Sequence, residues 1–379
     1  MAETFIKRLE LAVRRFYNGR VGRSGQPMLV SEAKDVIGYS SLRRVLLLRQ
    51  DRIGDVLVST PVIRELRRLL PQAEIDMVMS TNNISVRQAV DSEIDHVHVF
   101  RKSLLHLLVL RRALRRRRYD LVIDLMDNAS STSALLISGA QPRLAIGVDK
   151  VNRGVYTHVV PLADQTRVHI VERIARLLWP LGVDLRDEDL RLSFPLTDAQ
   201  RVAAVGLMSD GSQRPVLAIN ISGSDVHRMY PETMMIELLR QISKHWAGPE
   251  SERVQLCILS APMHAEIARR IGQASGIRVA EPQASYAMFA ACLASADMLL
   301  TPDTSAVHAA AAYRVPSVVL FSQDSRGIMP WFPYGTPCWP CVTTRGALET
   351  IPVEDIVHAV DQMIAVSYTH LTLPTNREV

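Results

Sequence analysis

The feature that most constrains this chain is a repeated alternation of short apolar runs and helical patterns. Val45–Leu48 is a continuous apolar run, as expected for a strand that is buried on both faces of a parallel sheet. Asp55–Leu70 then carries apolar side chains at helical spacing and stops before Pro71. Parallel strands joined through helices are the unit of doubly wound folds, so this alternation predicts an α/β protein.

The alternation occurs in two stretches of the chain. The further strands predicted are Ile75–Met79, His96–Phe100, Leu121–Leu125, Leu144–Ile146, Val216–Ile221, Gln255–Leu259, Met298–Leu300 and Ser317–Phe321. The further helices predicted are Leu104–Arg117, Ser131–Ser138, His169–Leu181, Pro231–Lys244, Met263–Ala274, Tyr286–Ala294, Ala306–Tyr313 and Val353–Ala365. We therefore expect two Rossmann-like, doubly wound halves that face a central cleft.

The 379 residues of the chain are enough for two domains and their attachments. The predicted organisation is a basic extension (1–40), an N-terminal Rossmann-like domain (41–165), a connecting region (166–215), a C-terminal Rossmann-like domain (216–352), a closing helix (353–366) and a tail (367–379). The tail has turn residues and no periodicity, and it is interpreted as a non-native cloning remnant.

The charge of the chain is concentrated in one segment. The net charge is +5, yet residues 101–118 alone carry eight arginines and lysines and no acidic residue. The remainder is slightly acidic, which disfavours a nucleic-acid-binding protein. The Arg111–Arg118 run within that segment is either a solvated helix face or a surface for anionic lipid or phosphorylated saccharide.

The composition and the lack of targeting signals indicate the type of protein and its compartment. A composition of 47% hydrophobic and 22% charged residues fits a globular protein. The sequence has neither a long uncharged apolar run nor a secretory signal, so we expect a cytoplasmic protein.

Cys257 and Cys292 lie in apolar runs and are predicted to be core residues. Cys338-Trp339-Pro340-Cys341 is interpreted as a proline-rich loop element, with redox or metal chemistry as the alternative.

The turn after the first predicted strand is the first candidate site. It lies at the carboxyl end of a parallel strand, where doubly wound folds bind ligands, and it lacks the glycines of a dinucleotide fingerprint and the lysine of a P-loop. Gly54 is predicted to allow a tight turn. Asp55 is either a helix cap or a carboxylate that takes a proton from an acceptor hydroxyl.

Two further loops in the second half of the chain offer groups that bind anions. In Gly223–Pro231, small residues expose backbone N–H groups and Arg228 can hold a phosphate, unless this is an ordinary solvated loop. The second loop follows the predicted strand Met298–Leu300. Here Asp303 is either a sugar ligand or a helix cap, and the His308 side chain either reaches the cleft or packs against the protein. An acid on one side and anion-binding loops on the other are typical of an enzyme that binds a diphosphate and an acceptor.

The order and spacing of these blocks resemble glycosyltransferase family 9, the heptosyltransferases of the lipopolysaccharide inner core. The resemblance runs from Arg44 to Ala365. Its blocks are Arg52-Ile53-Gly54-Asp55 with Thr60-Pro61 and Ile63-Arg64, Tyr119–Asp124, Gly223–Pro231, Asp303-Thr304-Ser305 with His308, and the Cys338-x-Pro340-Cys341 cluster.

The resemblance implies a GT-B fold and inverting transfer without a metal or another cofactor. The donor would be a nucleotide-diphosphate sugar, typically ADP-heptose, and the acceptor a lipid-linked or phosphorylated saccharide at the cytoplasmic face of the inner membrane. Asp55 would be the general base, and Arg52 and Gly54 would contact the acceptor or support the loop. The residues implied on the donor side are Gly223, Ser224, Arg228, Asp303, Thr304, Ser305 and His308.

Some positions depart from the family pattern. Arg228 stands where the family usually has lysine, and Ser305 where many members have glycine. His264 occupies a place where some heptosyltransferases carry an acid. The alternative to a transferase is a catalytically silent nucleotide- or saccharide-binding protein of the same fold. An α/β oxidoreductase or epimerase is disfavoured because the dinucleotide fingerprint is missing.

Overall fold

The computed structural model describes residues 26–223, 225–247, 253–323 and 327–372 of the chain. It divides into two compact units, Met1–Arg191 and Leu192–Val379. The boundary falls inside the predicted connecting region. The other domain bounds set from the sequence stay predictions, as does the origin of the tail.

The first unit is built on a seven-stranded sheet in which every pair is parallel. Its strands are β1 (Met28–Leu29), β2 (Arg44–Leu48), β3 (Glu74–Ser80), β4 (His96–Phe100), β5 (Leu121–Asp124), β6 (Leu144–Val148) and β7 (His158–Val160). The spatial order is β1-β7-β6-β5-β2-β3-β4. The α-helices are α1 (Ile53–Leu57), α2 (Thr60–Leu69), α3 (Leu104–Arg117), α4 (Ser131–Ala140) and α5 (Ile170–Ala175).

The second unit has a six-stranded sheet, again parallel throughout. Its strands are β8 (Val216–Asn220), β9 (Gln255–Leu259), β10 (Arg278–Val279), β11 (Met298–Pro302), β12 (Ser317–Ser322) and β13 (Cys338–Thr343), in the order β10-β9-β8-β11-β12-β13. Its α-helices are α6 (Asp198–Met208), α7 (Glu232–Ile242), α8 (Ala265–Ser275), α9 (Tyr286–Ala294), α10 (Ser305–Ala312) and α11 (Val353–Thr372).

Each sheet lies in its own hydrophobic core, as continuous apolar strands require. In the first unit Leu46 and Val122 of the central strands pack with the buried side of α3. In the second, Ile219 and Leu300 pack with α7 and α11. The predicted core positions of Cys257 and Cys292 are confirmed, since both thiols are free and buried.

The segment predicted as one helix over Asp55–Leu70 is two helices, and the proline at the start of the second explains the break. Pro61 has no N–H group to donate to the carbonyl of Leu57. The hydroxyl of Thr60 donates to that carbonyl instead, at 2.8 Å. The chain therefore restarts at Thr60 with proline in the first turn, where proline is tolerated.

Three predicted elements differ from the structure for identifiable reasons. The predicted extension 1–40 contributes β1, a two-residue strand too short to give an apolar run; residues 1–25 of that extension lie outside the described residues. The CxxC segment is not a loop but the edge strand β13, where Pro340 is tolerated because an edge strand is paired on one side only. Helix α11 continues to Thr372, into the segment predicted as an aperiodic tail.

The close approach of Gly147 to Tyr156 gives a test of the packing in the first unit. A Cβ at Gly147 would lie 2.4 Å from the ring of Tyr156, whose hydroxyl donates to buried Asp124 at 2.6 Å. We predict that Gly147→Ala lowers the free energy of unfolding by about 2–3 kcal/mol, through overpacking and loss of this hydrogen bond. Urea-induced unfolding measures the change.

The matched control is Gly206→Ala in α6, where a Cβ would meet nothing within 4 Å. This substitution is expected to be neutral or to stabilise by up to about 1 kcal/mol. Equal stability of Gly147→Ala and the wild type would contradict the described packing around Tyr156.

Candidate active-site residues in each unit

The turn that follows β2 is organised by the buried guanidinium of Arg49. Its Nη1 donates to the carbonyl of Leu125 at 2.7 Å, which ties the ends of β2 and β5 together. Its Nε donates to the carbonyl of Asp55 at 2.7 Å, and its own carbonyl accepts from Asn83 Nδ2 at 2.8 Å. Burying a guanidinium is costly unless its donors are satisfied, so these bonds fix the position of the turn and of α1.

Asp55 lies in the first turn of α1 with its side chain 12% exposed. Its Oδ2 accepts the backbone N–H of Arg52 at 3.2 Å, and its Oδ1 lies 3.5 Å from Arg49 Nη2. The predicted capping interaction is therefore present, and the carboxylate also faces a buried cation. Gly54 is the second residue of α1 and adopts helical backbone, so the predicted tight turn at this glycine is wrong.

A second carboxylate of the same turn, Asp51, was missed by the sequence reasoning. Its Oδ2 lies 3.3 Å from Arg49 Nη1, and its buried Oδ1 has no hydrogen-bond partner among the described residues. Burial raises the pKa of Asp51 to about 6; the charge of Arg49 opposes this, and those of Asp55 and Asp124 add to it. The sequence signal that indicates Asp51 is its position between Arg49 and Arg52, directly after a buried strand.

The neighbouring strand ends of this unit carry further buried charges that the sequence reasoning did not assign. Asp124, at the end of β5, accepts from Tyr156 and from Lys150 Nζ at 3.1 Å. Arg173 of α5 pairs with Asp127 at 3.1 Å. The carboxyl edge of the first sheet therefore carries mostly buried, hydrogen-bonded charged groups. Asp51 and Asp55 lie at this same edge.

In the second unit, Asn220 at the end of β8 connects two loops. Its Nδ2 donates to Thr301 Oγ1 at 2.9 Å, and its Oδ1 accepts the N–H of Ser222 at 3.1 Å. Ser222 Oγ in turn accepts from the N–H of Ala261 and lies 3.0 Å from His264 Nδ1. A buried amide satisfied in this way holds the loop after β8 beside the end of β11.

The loop after β8 closes on itself at Gly223. A Cβ at this position would lie 2.3 Å from the carbonyl oxygen of Arg228, so a side chain there requires the backbone to move. Arg228 Nη1 lies 3.2 Å from Asp303 Oδ2, and the Arg228 side chain is 42% exposed. The structure therefore brings together Arg228 and Asp303 from the two predicted donor loops. Ser224 lies outside the described residues.

The loop after β11 settles the capping alternative for Asp303. Thr304, not Asp303, is the N-cap of α10, because its hydroxyl accepts the N–H of Ala306 at 3.3 Å. Asp303 is thereby left to pair with Arg228. Ser305 opens the helix, and its carbonyl accepts from Tyr286 at 3.2 Å. His308, in α10, is buried with its ring edge-on to Trp331.

One group of potential metal ligands occurs in the part of the chain that the structure describes. Glu74, Asp76 and His96 bring ligand atoms within 4.8 Å of one another. Arg117 bonds to both carboxylates, so a guanidinium already compensates part of their charge. The group lies toward the amino ends of β3 and β4, at the opposite edge of the sheet from Asp55.

Comparison with known protein families assigns the chain to one of them. Residues 107–350 match the model of glycosyltransferase family 9 (heptosyltransferase). The chain belongs to glycosyltransferase family 9. It is accordingly a glycosyltransferase with the GT-B fold, and family 9 sugar transfer serves lipopolysaccharide biosynthesis. The oxidoreductase alternative is thereby set aside.

Relatives of this family 9 chain cover most of its length. It is 24% identical over 350 residues to lipopolysaccharide heptosyltransferase 3 of Escherichia coli, covering 84% of this chain and 99% of that protein. The E. coli ADP-heptose lps heptosyltransferase II structure aligns with a TM-score of 0.67 at 19% identity, covering 86% and 99% of the two chains. The structure of E. coli heptosyltransferase WaaC with ADP-2-deoxy-2-fluoro heptose gives 0.62 at 19% identity, covering 84% and 99%.

The raised pKa of Asp51 predicts a pH-dependent stability. This carboxyl ionises less readily in the folded protein than at its ordinary value of 3.8, so the folded state loses stability as the pH rises from about 4 to about 6. We expect Asp51→Asn to abolish this loss, which makes it more stable than the wild type above pH 6 by about 2–3 kcal/mol.

Urea-induced unfolding of both proteins between about pH 4 and pH 7 measures the difference. Asp91→Asn, at an exposed carboxylate of the same unit, is the control and should parallel the wild type. Parallel curves for Asp51→Asn and the wild type would show that Asp51 ionises normally.

Proposed function

We propose that this glycosyltransferase moves a sugar from ADP-heptose to a lipopolysaccharide-type or other cell-surface saccharide, by inversion and without a metal. The observation that carries the proposal is the position of Asp55, a mostly buried carboxylate at the carboxyl edge of the first sheet. The nucleotide of the donor is suggested by the structure of E. coli heptosyltransferase WaaC with ADP-2-deoxy-2-fluoro heptose.

In the proposed reaction the acceptor hydroxyl attacks the anomeric carbon of the donor sugar. Asp55 removes the proton of that hydroxyl as the new bond forms, which is the role of a general base. The bond from the anomeric carbon to the diphosphate breaks on the opposite side, so the configuration inverts. Arg49 holds the carboxylate in the first turn of α1 through the carbonyl and Oδ1 of the same residue.

The leaving diphosphate develops negative charge that the second unit is equipped to stabilise. Arg228 supplies a guanidinium that can form two parallel hydrogen bonds to phosphate oxygens. The N-terminus of α10 supplies backbone N–H groups and a favourable dipole. Asp303 orients Arg228 at 3.2 Å and lies beside that helix terminus. We propose that these groups, with Gly223, Ser224, Thr304 and Ser305, perform the charge stabilisation that a metal performs in other transferases.

A donor screen with the purified full-length chain tests the reaction. ADP-, UDP- and GDP-sugars are offered with a lipopolysaccharide-derived acceptor, and nucleoside diphosphate release and product mass are measured, with and without EDTA. We expect ADP-heptose to be used, with EDTA having no effect. Activity lost in EDTA and restored by Mg²⁺ would contradict metal independence, and nucleotide binding without turnover of any donor would favour a catalytically silent binding protein.

Asp55→Asn separates catalysis from donor binding. Because the amide keeps the shape of the side chain but cannot accept the proton, transfer should fall by about 10²–10⁴-fold. The affinity for ADP, measured by calorimetry, should be unchanged. Asp91→Asn is the matched control in the same unit and should keep full activity. Undiminished turnover of Asp55→Asn would remove this residue from the catalytic role.

Arg228 is predicted to act on the donor rather than on proton transfer. Removing its charge with Arg228→Gln should weaken ADP binding about 10–100-fold, the range expected for charge-assisted hydrogen bonds to phosphate. Arg228→Lys keeps the charge and should recover part of the affinity. Arg345→Gln, at an exposed arginine of the same unit, is the control. Equal ADP affinity for Arg228→Gln and the wild type would exclude Arg228 from the phosphate site.

A further inference from the structure

Helix α3 has apolar side chains on two opposite faces, although a surface helix ordinarily has one. Its inner face is formed by Leu107, Leu110 and Leu114, which are buried in the core of the first unit. On the other side three large apolar side chains face outward: Leu105 is 72% exposed, Leu108 60% and Val109 58%. At 100° per residue the centres of the two faces lie about 180° apart.

The outer apolar face continues along the helix into arginines. Arg112 and Arg116 follow Leu105, Leu108 and Val109 at the same helical spacing and are exposed. In the described part of the chain their side chains have no ion pair or hydrogen bond. The outer α3 face, defined as Leu105, Leu108, Val109, Arg112 and Arg116, therefore combines apolar groups with uncompensated positive charge.

Two other arginines of the run are already engaged with the protein. Arg117 bonds to Glu74 and Asp76 on β3. The side chain of Arg111 lies over Gly139 of α4, where a Cβ would come within 2.5 Å of its Nε. The Arg111–Arg118 run is thus divided: these two arginines support the fold, whereas Arg112 and Arg116 are presented outward.

We propose that the outer α3 face docks on an anionic phospholipid bilayer, with the leucines and valine at the acyl boundary and the arginines at the headgroups. The combination of bulky apolar and cationic side chains on one helix face is the pattern of interfacial membrane contact. This inference extends the proposed function, because a lipid-linked acceptor would be reached at such a surface.

Charge distinguishes a bilayer from the other occupants of this face. A second copy of the chain docked through the same face would bring arginines toward arginines, since residues 101–118 contain no acid. A free phosphorylated saccharide would pair with the arginines but would leave Leu105, Leu108 and Val109 in water. A bilayer with anionic headgroups satisfies both parts of the face.

The binding expected from these groups is measurable in vesicle assays. Each arginine near an anionic surface contributes about a fivefold increase in partitioning, so removal of two lowers it about thirtyfold. Inversion of their charge adds to this loss. Burial of the apolar side chains contributes a further factor of at least about ten. Because exposed charges are screened by salt, the arginine contribution should weaken as ionic strength rises.

The test is co-sedimentation of the full chain with vesicles of phosphatidylcholine, with and without phosphatidylglycerol. The wild type is expected to bind the anionic vesicles, Arg112→Glu/Arg116→Glu to bind them at least about thirtyfold more weakly, and Leu105→Ser/Leu108→Ser at least about tenfold more weakly. The controls are Arg201→Glu/Arg345→Glu and Val202→Ser/Val205→Ser, exposed residues of the second unit. They should bind like the wild type.

Several outcomes would overturn the proposal. Wild-type binding by both α3 variants would do so, as would equal binding of the wild type to neutral and anionic vesicles. A dimer in light scattering that Leu105→Ser/Leu108→Ser dissociates would show that the face binds another copy. Arginine-dependent binding of inorganic phosphate without binding to vesicles would assign the arginines to a free anion.

Vesicle binding and catalysis can fail independently, so failure of this inference is distinguishable from failure of the proposed transfer reaction. ADP affinity, measured without vesicles, should be the same in both α3 variants and the wild type, which also shows that the variants fold. A chain that binds vesicles through α3 but transfers no sugar would contradict the proposed function and leave the docking surface standing.

Discussion

The buried guanidinium of Arg49 is the interaction on which the geometry of the first unit's candidate site depends. It joins the ends of β2 and β5 by donating to the Leu125 carbonyl, and it also donates to the carbonyl of Asp55 and lies beside the carboxylate of that residue. One cation is thus shared between two carboxylates, because Asp51 lies against the same group. The position of α1 and the orientation of Asp55 follow from this arrangement, whereas the raised pKa of Asp51 comes from burial, which the charge of Arg49 opposes.

The second unit achieves a comparable fixation with neutral hydrogen bonds. The Asn220 amide spans the loops after β8 and β11, and Gly223 lets the first loop fold back onto the carbonyl of Arg228. The cation in this unit is correspondingly more exposed, since Arg228 is held by a carboxylate at the surface rather than buried beneath a strand end. A rigid backbone beneath a partly exposed guanidinium suits the binding of an anion from solution.

The sequence predicted the strands that are long, apolar and buried on both faces. His96–Phe100 and Gln255–Leu259 are observed with the predicted bounds, as are helices Leu104–Arg117 and Tyr286–Ala294. It could not predict β1, since two residues cannot show a pattern, nor β13, whose proline is compatible with a strand only at a sheet edge. Edge position is a property of the assembled sheet and is not encoded in any local window.

In the candidate site, too, the sequence could indicate some residues but not the contacts between them. Residues that follow a strand end, such as Asp55, Arg228 and Asp303, could be selected from the sequence because parallel sheets bring those ends to one edge. The pairing of Arg228 with Asp303, the capping by Thr304 and the role of Asn220 depend on contacts across 75 or more residues or on a choice between adjacent hydroxyl and carboxyl groups. These contacts depend on the three-dimensional positions of the side chains, which the spacing of residues in the sequence does not determine.

The proline in β13 has a consequence for the behaviour of the protein at high concentration. An edge strand with free N–H and C=O groups is a template onto which a strand of another molecule can add. Pro340 removes one donor from the outermost strand of the second sheet, so a continuous ladder cannot form along it. The segment that first suggested thiol chemistry therefore also helps to keep the sheet from growing beyond its own chain.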